Sequence, residues 1–342
     1  MKTKRFFVAG LLGLALAAAA IAGTASASGS KATLNGAGST WVYPLVSLWA
    51  TNYSGAHINY SSIGSGGGIQ AISNRQVDFG ASDAPLTKDQ FAACHGCVQI
   101  PWALGGTSVP YHISGVPDGL HLTGKVLAGI YLGKITHWNA PAIKKLNKRA
   151  HLPNLKITPL YRNDGSGTTY NFTDYLSKVS KTFKSRVGRG IQVNFPVGVG
   201  AKGSSGVAAA LSQTNGAIGY MDVAYSLKNG FSYFKMQNRA GQYVWPGVKS
   251  CNSARKSIRR IPKSNALHIV DPPKRLTRAY PICTFSYVIV PLHAKKAAAL
   301  KRFITWAVSS AGQKVSGAQK EEYVPIGAKA RTAALATLAR VH

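Results

Sequence analysis

A chain of 342 residues with 45% apolar content is long enough for two packed domains and rich enough to bury a core. Its 36 Gly and 16 Pro call for many sharp turns, but collagen-like and disordered compositions are excluded. The balance of 41 Lys and Arg against 10 Asp and Glu makes a surface that attracts anions and polyanions.

Residues 1–27 read as a signal peptide. Lys2, Lys4 and Arg5 form a positive start, Phe6 to Ile21 is apolar, and Ala25-Ser26-Ala27 fits the small-residue cleavage rule. The mature chain is expected to begin near Ser28. The apolar run is short for a bilayer, so a membrane anchor is disfavoured, and no Cys follows it to take a lipid. Secretion across the cytoplasmic membrane into a periplasmic or cell-wall space follows, as a soluble protein. An exported chain seldom meets nucleic acid, and the motifs of common DNA-binding folds are missing, so no nucleic-acid partner is expected. A weak attraction of polyanionic surface polymers is. Scarce carboxylates also suit an acidic exterior, where ion pairs that depend on them fade.

Beyond the leader, Val42, Leu45, Val46, Trp49 and Tyr53 recur at helical spacing between Ser39 and Tyr53. Ile58 to Ile63 and Val77 to Ala81 read as strands. A second set begins near Tyr111. There Ile157 to Tyr161 is strand-like, Phe172, Leu176 and Val179 mark a helix, Val207 to Leu211 marks another, and Ala217 to Tyr220 is a strand. The stretch 237–274 is polar, basic and aperiodic, an insertion or long loop. Helices close the chain at Ala297 to Val308 and near Arg331 to Val341. Strands alternating with helices imply α/β layers with largely parallel sheets.

Four cysteines in an exported chain suggest two disulfides, Cys94–Cys97 and Cys251–Cys283, although three pairings satisfy the count. A haem attachment would need His where Val98 stands, and a zinc site would need a second close ligand pair. The 9 His are scattered with no HxxxH, so no metal and no cofactor is expected.

Three segments share one design, a Gly/Ser/Thr-rich turn before a helix: Gly36 to Thr40, Gly64 to Gly68, and Asp164 to Thr169. A helix N-terminus leaves backbone N–H groups unpaired with partial positive charge, glycines let an anion approach, and hydroxyls add donors. A single such turn is an ordinary N-cap; three, with Arg162 beside the third, point to a shared oxyanion. None is a nucleotide motif. Ile69 breaks GxGxxG, Gly200 to Gly206 lacks the Lys-Ser/Thr ending of a P-loop, and Asp164 and Thr168 break GxSxG around Ser166.

In order and spacing, Leu34-Asn35-Gly36-Ala37-Gly38-Ser39-Thr40, Ile63-Gly64-Ser65-Gly66-Gly67-Gly68, Val77 to Pro85 and Arg162 to Thr169 resemble the phosphate-binding proteins (PstS type) of high-affinity phosphate ABC importers. Ile130 to Ile135 with Trp138, and Gly216 to Tyr220, carry the same likeness, which fades over 237–274. The resemblance implies an α/β, two-lobed class II periplasmic-type solute-binding protein that closes over its ligand by hinge bending. Its lobes would be 28–110 with 282–342, and 111–281 including the insertion, with two interlobe crossovers near Pro110 and Pro281. It implies a monomer that binds inorganic phosphate and hands it to the membrane permease subunits of an ABC importer. Ser39, Thr40, the N–H of Trp41, Ser65 and Asp83 would bind from one lobe, and Arg162, Ser166, Gly167 and Thr168 from the other. The family often has Phe where Trp41 stands.

The residue chemistry agrees. Arg162 offers paired donors to phosphate oxygens, and Asp164 could hold its plane. A carboxylate beside an anion repels it unless it accepts a proton, which hydrogen phosphate has and sulfate lacks; Asp83 therefore reads as the discriminator. The plainer alternative makes Asp83 a helix cap before Ala84-Pro85. Trp102, Tyr131, Trp138 and Tyr220 read as core, and the Arg/Lys cluster of the insertion as a solvated face. Two other functions compete: a phosphatase using Ser166, which lacks a nearby His base, and a surface polyanion binder for which phosphate is incidental.

Overall fold

The computed structural model describes residues 31–315 and 323–342; the expected signal peptide lies outside the described residues. Two larger sheets organise the described chain, beside a small three-stranded one of Tyr243–Val244, Lys235–Gln237 and His121–Leu122. A six-stranded sheet runs, in spatial order, Met221–Asp222, Cys97–Ser108, Cys283–Pro291, Phe79–Ser82, Thr33–Gly38 and His57–Ser62. A five-stranded sheet runs Ser232–Tyr233, Pro110–His112, Ala217–Ile218, Thr158–Arg162 and Val199–Ala201. Helices cover both, giving a two-lobed α/β architecture.

Only part of the first sheet is parallel. Thr33–Gly38 pairs in parallel with its two neighbours, whereas Cys283–Pro291 is antiparallel to both Phe79–Ser82 and Cys97–Ser108. The antiparallel pair is buried at every residue. Strands covered on both faces do not alternate in polarity, so neither stands out in sequence, and Pro101, Gly105 and Gly106 interrupt the longer one further. Trp49, Phe79, Trp102 and Phe303 fill the space between this sheet and its helices, with the two indoles 5.0 Å apart.

The chain leaves the first sheet at Ser108 and enters the second at Pro110, with buried Val109 between them. It returns before Cys283. Besides these passages, Met221–Asp222 pairs with Thr107 and Ser108 between two strands of the second sheet.

The Gly64 to Gly68 segment is not a turn before a helix but the first turn of the helix Gly64–Ser73. Glycine is a poor helix former, so packing dictates the choice. A Cβ on Gly68 would lie 2.4 Å from the Cα of Gly38 and 2.7 Å from the carbonyl of Ala37. This closeness seats the helix directly on the strand end that carries Ser39.

Both expected disulfides are present, Cys94–Cys97 and Cys251–Cys283. The 237–274 segment, read as loop, contains the helix Val248–Arg255 and fastens to the first sheet. Leu267 donates to the Tyr287 hydroxyl at 2.9 Å, and Asn265 donates to the Gln99 carbonyl at 2.9 Å. Cys251 sits on that helix and Cys283 begins the central strand, 32 residues apart. Replacing both with Ala should cost about 3–4 kcal/mol through a freer unfolded chain, read as a lower urea midpoint. An unchanged midpoint would mean the hydrogen bonds alone hold the segment.

Among the described residues no helix is long and apolar enough to cross a membrane.

Candidate anion site

Strand ends from the two sheets meet at one place. At the end of Thr33–Gly38, Gly38 takes φ 141° and presses on Ala81, leaving Ser39 wholly buried with its N–H on the Ala81 carbonyl at 2.9 Å. The Ser39 hydroxyl donates to the Asp83 carboxylate, 2.7 and 2.6 Å from its two oxygens. It also accepts from the N–H groups of Trp41 at 3.1 Å and Val42 at 3.3 Å. Asp83 follows the strand Phe79–Ser82, and its N–H donates to the Ser65 hydroxyl at 3.3 Å.

From the other sheet, Arg162 ends the strand Thr158–Arg162 and is only 3% exposed. Its Nε donates to Asp164 Oδ1 at 2.6 Å while Nη2 meets Oδ2, a two-pronged pairing that fixes the guanidinium plane. Its Nη1 donates to the Thr40 hydroxyl at 2.9 Å, crossing from one sheet to the other. The helix Gly167–Val179 begins beside it, capped by the Ser166 hydroxyl, which accepts from the Thr169 N–H at 3.2 Å. The Gly167 N–H donates to the Ser65 hydroxyl at 3.0 Å, a second link between the sheets, and Gly66 donates to the Gly165 carbonyl at 2.8 Å as a third.

The nine residues expected to contact the anion are all buried here, in distinguishable positions. Ser39, Ser65, Asp83 and Gly167 share one hydrogen-bonded chain, while Thr40 and Arg162 are bonded to each other. Trp41 joins it through its N–H, while its ring packs edge-on against Tyr323, centroids 5.4 Å apart. Ser166 contributes as a cap. The Thr168 hydroxyl is buried with no hydrogen-bond partner among the described residues, which marks an unused donor at a helix N-terminus. The capping alternative for Asp83 is not what the fold uses: the next helix, Lys88–Ala93, is capped by Thr87 in a reciprocal box with Gln90.

Three contributors went unnoticed in the sequence. Ser204, in the first turn of the helix Gly203–Gln213, lies 2.8 Å from the Thr40 hydroxyl. It stands in the glycine-rich 200–206 stretch, which shares the turn-before-helix design although it fails as a P-loop. Asn171 donates to the Asp83 carbonyl at 2.9 Å and accepts from Thr284 at 2.8 Å, with no local pattern to announce it. Tyr220, expected as core, is core, yet its hydroxyl accepts from the Arg162 N–H at 3.0 Å and lies 2.8 Å from the Thr169 hydroxyl.

Electrostatics sets the two carboxylates apart. Burial raises Asp83 to about 6, against the opposing pull of the Ser39, Ser286 and Ser65 hydroxyls and the Arg162 charge. Burial also pushes Asp164 upward, but its bonds to Arg162 and to the Gly203 N–H win and hold it below the ordinary carboxylate range. The site thus joins hydroxyls, backbone N–H groups and one fixed guanidinium from both lobes to a carboxyl that gains from sharing a proton.

The tightness of the junction makes a prediction. A Cβ on Gly167 would stand 2.7 Å from the Asp83 nitrogen and 2.8 Å from its Cα, across the gap between lobes. Gly167→Ala should therefore hinder approach of the lobes, weakening anion binding about tenfold or more while changing the urea midpoint little. Unaltered affinity would show that the lobes need not approach this closely.

Residues 23–311 match the family model of a PBP superfamily domain. The chain is 42% identical over 302 residues to phosphate-binding protein PstS of Xylella fastidiosa (strain Temecula1), spanning 86% of this chain and 81% of that one. It is 39% identical over 301 residues to phosphate-binding protein PstS of Pasteurella multocida, spanning 86% of each. Among solved structures, a high-affinity periplasmic phosphate-binding protein bound with phosphate superposes with TM-score 0.71 at 21% identity, over 89% of this chain and 93% of that one. A phosphate-binding protein from Stenotrophomonas maltophilia gives TM-score 0.67 at 19% identity, over 90% and 94%. Identity at this level, sustained over most of both chains, means that this chain belongs to the PBP superfamily and, within it, to the PstS phosphate-binding proteins.

Proposed function

We propose that the protein captures inorganic phosphate between its lobes outside the cytoplasmic membrane and delivers it to the permease subunits of an ABC importer. The observation that carries this reading is the presence, in one buried junction, of the Asp164-fixed Arg162 and of a carboxyl, Asp83, raised to about 6 although the Arg162 charge acts on it. Arg162 and the hydroxyl and N–H donors compensate the anion's charge. Asp83 accepts the proton that hydrogen phosphate retains and sulfate does not. Ser39, Thr40, Trp41 N–H, Ser65 and Asp83 serve as the contacts of one lobe, with Arg162, Ser166, Gly167 and Thr168 as those of the other.

The lobes are taken as 28–110 with 282–342, and 111–281, moving about the paired passages near Pro110 and Pro281. Closure then exchanges the present links, such as Thr40 to Arg162 and Gly167 to Ser65, for bonds to the ligand. The protein acts as a monomer and performs no catalysis. Ser166 is occupied as a helix cap, and among the described residues no imidazole is bonded to it.

Equilibrium dialysis of mature protein against labelled phosphate, with p-nitrophenyl phosphate turnover followed in parallel, tests this. One phosphate retained per chain without turnover is expected. Sustained release of p-nitrophenol, lost in Ser166→Ala, would instead make the protein a phosphatase.

A further inference from the structure

We propose that the groove between Tyr243 and Lys256 docks an anionic glycan, a chain of sugar rings bearing carboxylate or phosphate groups. This hollow of about 930 Å³ lies in the basic segment, is remote in sequence from the anion site's motifs, and has no part in the function above. Tyr243, Trp245, Lys249, Lys256 and Arg278 line it, with no Asp or Glu among the described lining residues.

Its aromatic floor is held in place. Trp245 is 37% exposed, yet Tyr233 packs edge-on to it at 5.0 Å, and the Lys235 ammonium sits 5.2 Å from its ring centre. Tyr243 stacks on His121 with centroids 4.0 Å apart. A preset exposed indole loses little freedom on binding and offers an apolar face to the C–H side of a pyranose.

The charge around it is unspent. Lys249, Lys256 and Arg278 are exposed, and none has an ion-pair partner among the described residues. Asp118, close by in the fold, is turned to the N–H groups of Gly119 and Tyr233. The groove also continues. Lys256 borders a second hollow of about 380 Å³ that Arg255 and Lys329 line. A cationic track extending from a single aromatic floor fits a linear polymer better than a compact ligand. Single-stranded nucleic acid is held by successive open rings, and here Tyr243 is already stacked.

Short oligogalacturonate titrated into the mature protein tests this, with neutral dextran, inorganic polyphosphate and a single-stranded DNA oligomer as comparators. Oligogalacturonate should bind at low ionic strength and weaken with salt. Trp245→Ala should weaken it about tenfold, Trp245→Phe much less, and Lys249→Ser with Lys256→Ser about tenfold. Inorganic phosphate affinity should stay unchanged in all three variants. The lysine pair is exposed, so its variant keeps the proposal testable if Trp245→Ala folds poorly. The proposal fails if Trp245→Ala binds oligogalacturonate as well as wild type. It fails equally if polyphosphate or dextran binds as tightly as oligogalacturonate, or if DNA binds more tightly through these residues.

Discussion

Arg162→Ala should weaken phosphate binding by about two orders of magnitude or more, on the order of 2–5 kcal/mol for a buried charge partner. The guanidinium is buried, its plane fixed by Asp164, and it is aimed across the junction at Thr40, so in the proposed site it would meet the ligand with its plane already set. Alanine removes that charge and leaves Asp164 as a carboxylate without its cation, though the Gly203 N–H is still bonded to it. The loss therefore has two parts, which a companion variant separates. Arg162→Ala/Asp164→Asn should recover the part due to stranded negative charge but not the donors. Arg162→Lys should bind better than Ala and worse than wild type, since a point charge cannot make the two-pronged pairing. Isothermal titration of each variant reads the sequence directly; near-native affinity in Arg162→Ala would remove the second lobe's cation from the site.

Asp83→Asn should change selectivity more than affinity. With the amide in place, the repulsion that excludes sulfate disappears and a donor faces the anion, so the phosphate-to-sulfate preference should collapse by about two orders of magnitude or more. The same logic predicts a pH dependence. As pH falls through about 6, Asp83 takes up a proton in the ligand-free protein and wild type should begin to admit sulfate. A preference that stays flat across this range, or survives in Asp83→Asn, would take the discriminating role from Asp83.

Stability should respond in the same range, with a definite sign. A carboxyl at about 6 when folded, against an ordinary 3.8, holds more proton in the folded than in the unfolded state between those values. Stability therefore falls as pH rises through that window, by about 3 kcal/mol for a fully buried group. Asp164, held low, behaves oppositely: its contribution is present above the ordinary carboxylate value and is lost only in stronger acid. Urea midpoints of wild type minus Asp83→Asn should thus rise on acidification from pH 6 to 4.

How much was legible in the sequence depended on how local each feature is. Helices with one apolar stripe, such as Ala297–Val308, were readable from spacing alone. The strands Cys97–Ser108 and Cys283–Pro291 were not, because burial on both faces erases alternation. Gly64–Ser73 misled, since its glycines serve close packing on Gly38 rather than a turn. The residues proposed for the site could be listed because they cluster in short motifs at strand ends. Asn171 and Tyr220 could not, because only the meeting of distant segments gives them partners.

The most direct test of the central claim is calorimetric titration of phosphate, then sulfate, at neutral pH into mature protein freed of ligand by unfolding and refolding. Tight one-to-one phosphate binding with weak sulfate binding is the predicted result. Equal affinity for the two anions, or none for either in folded protein, would contradict it.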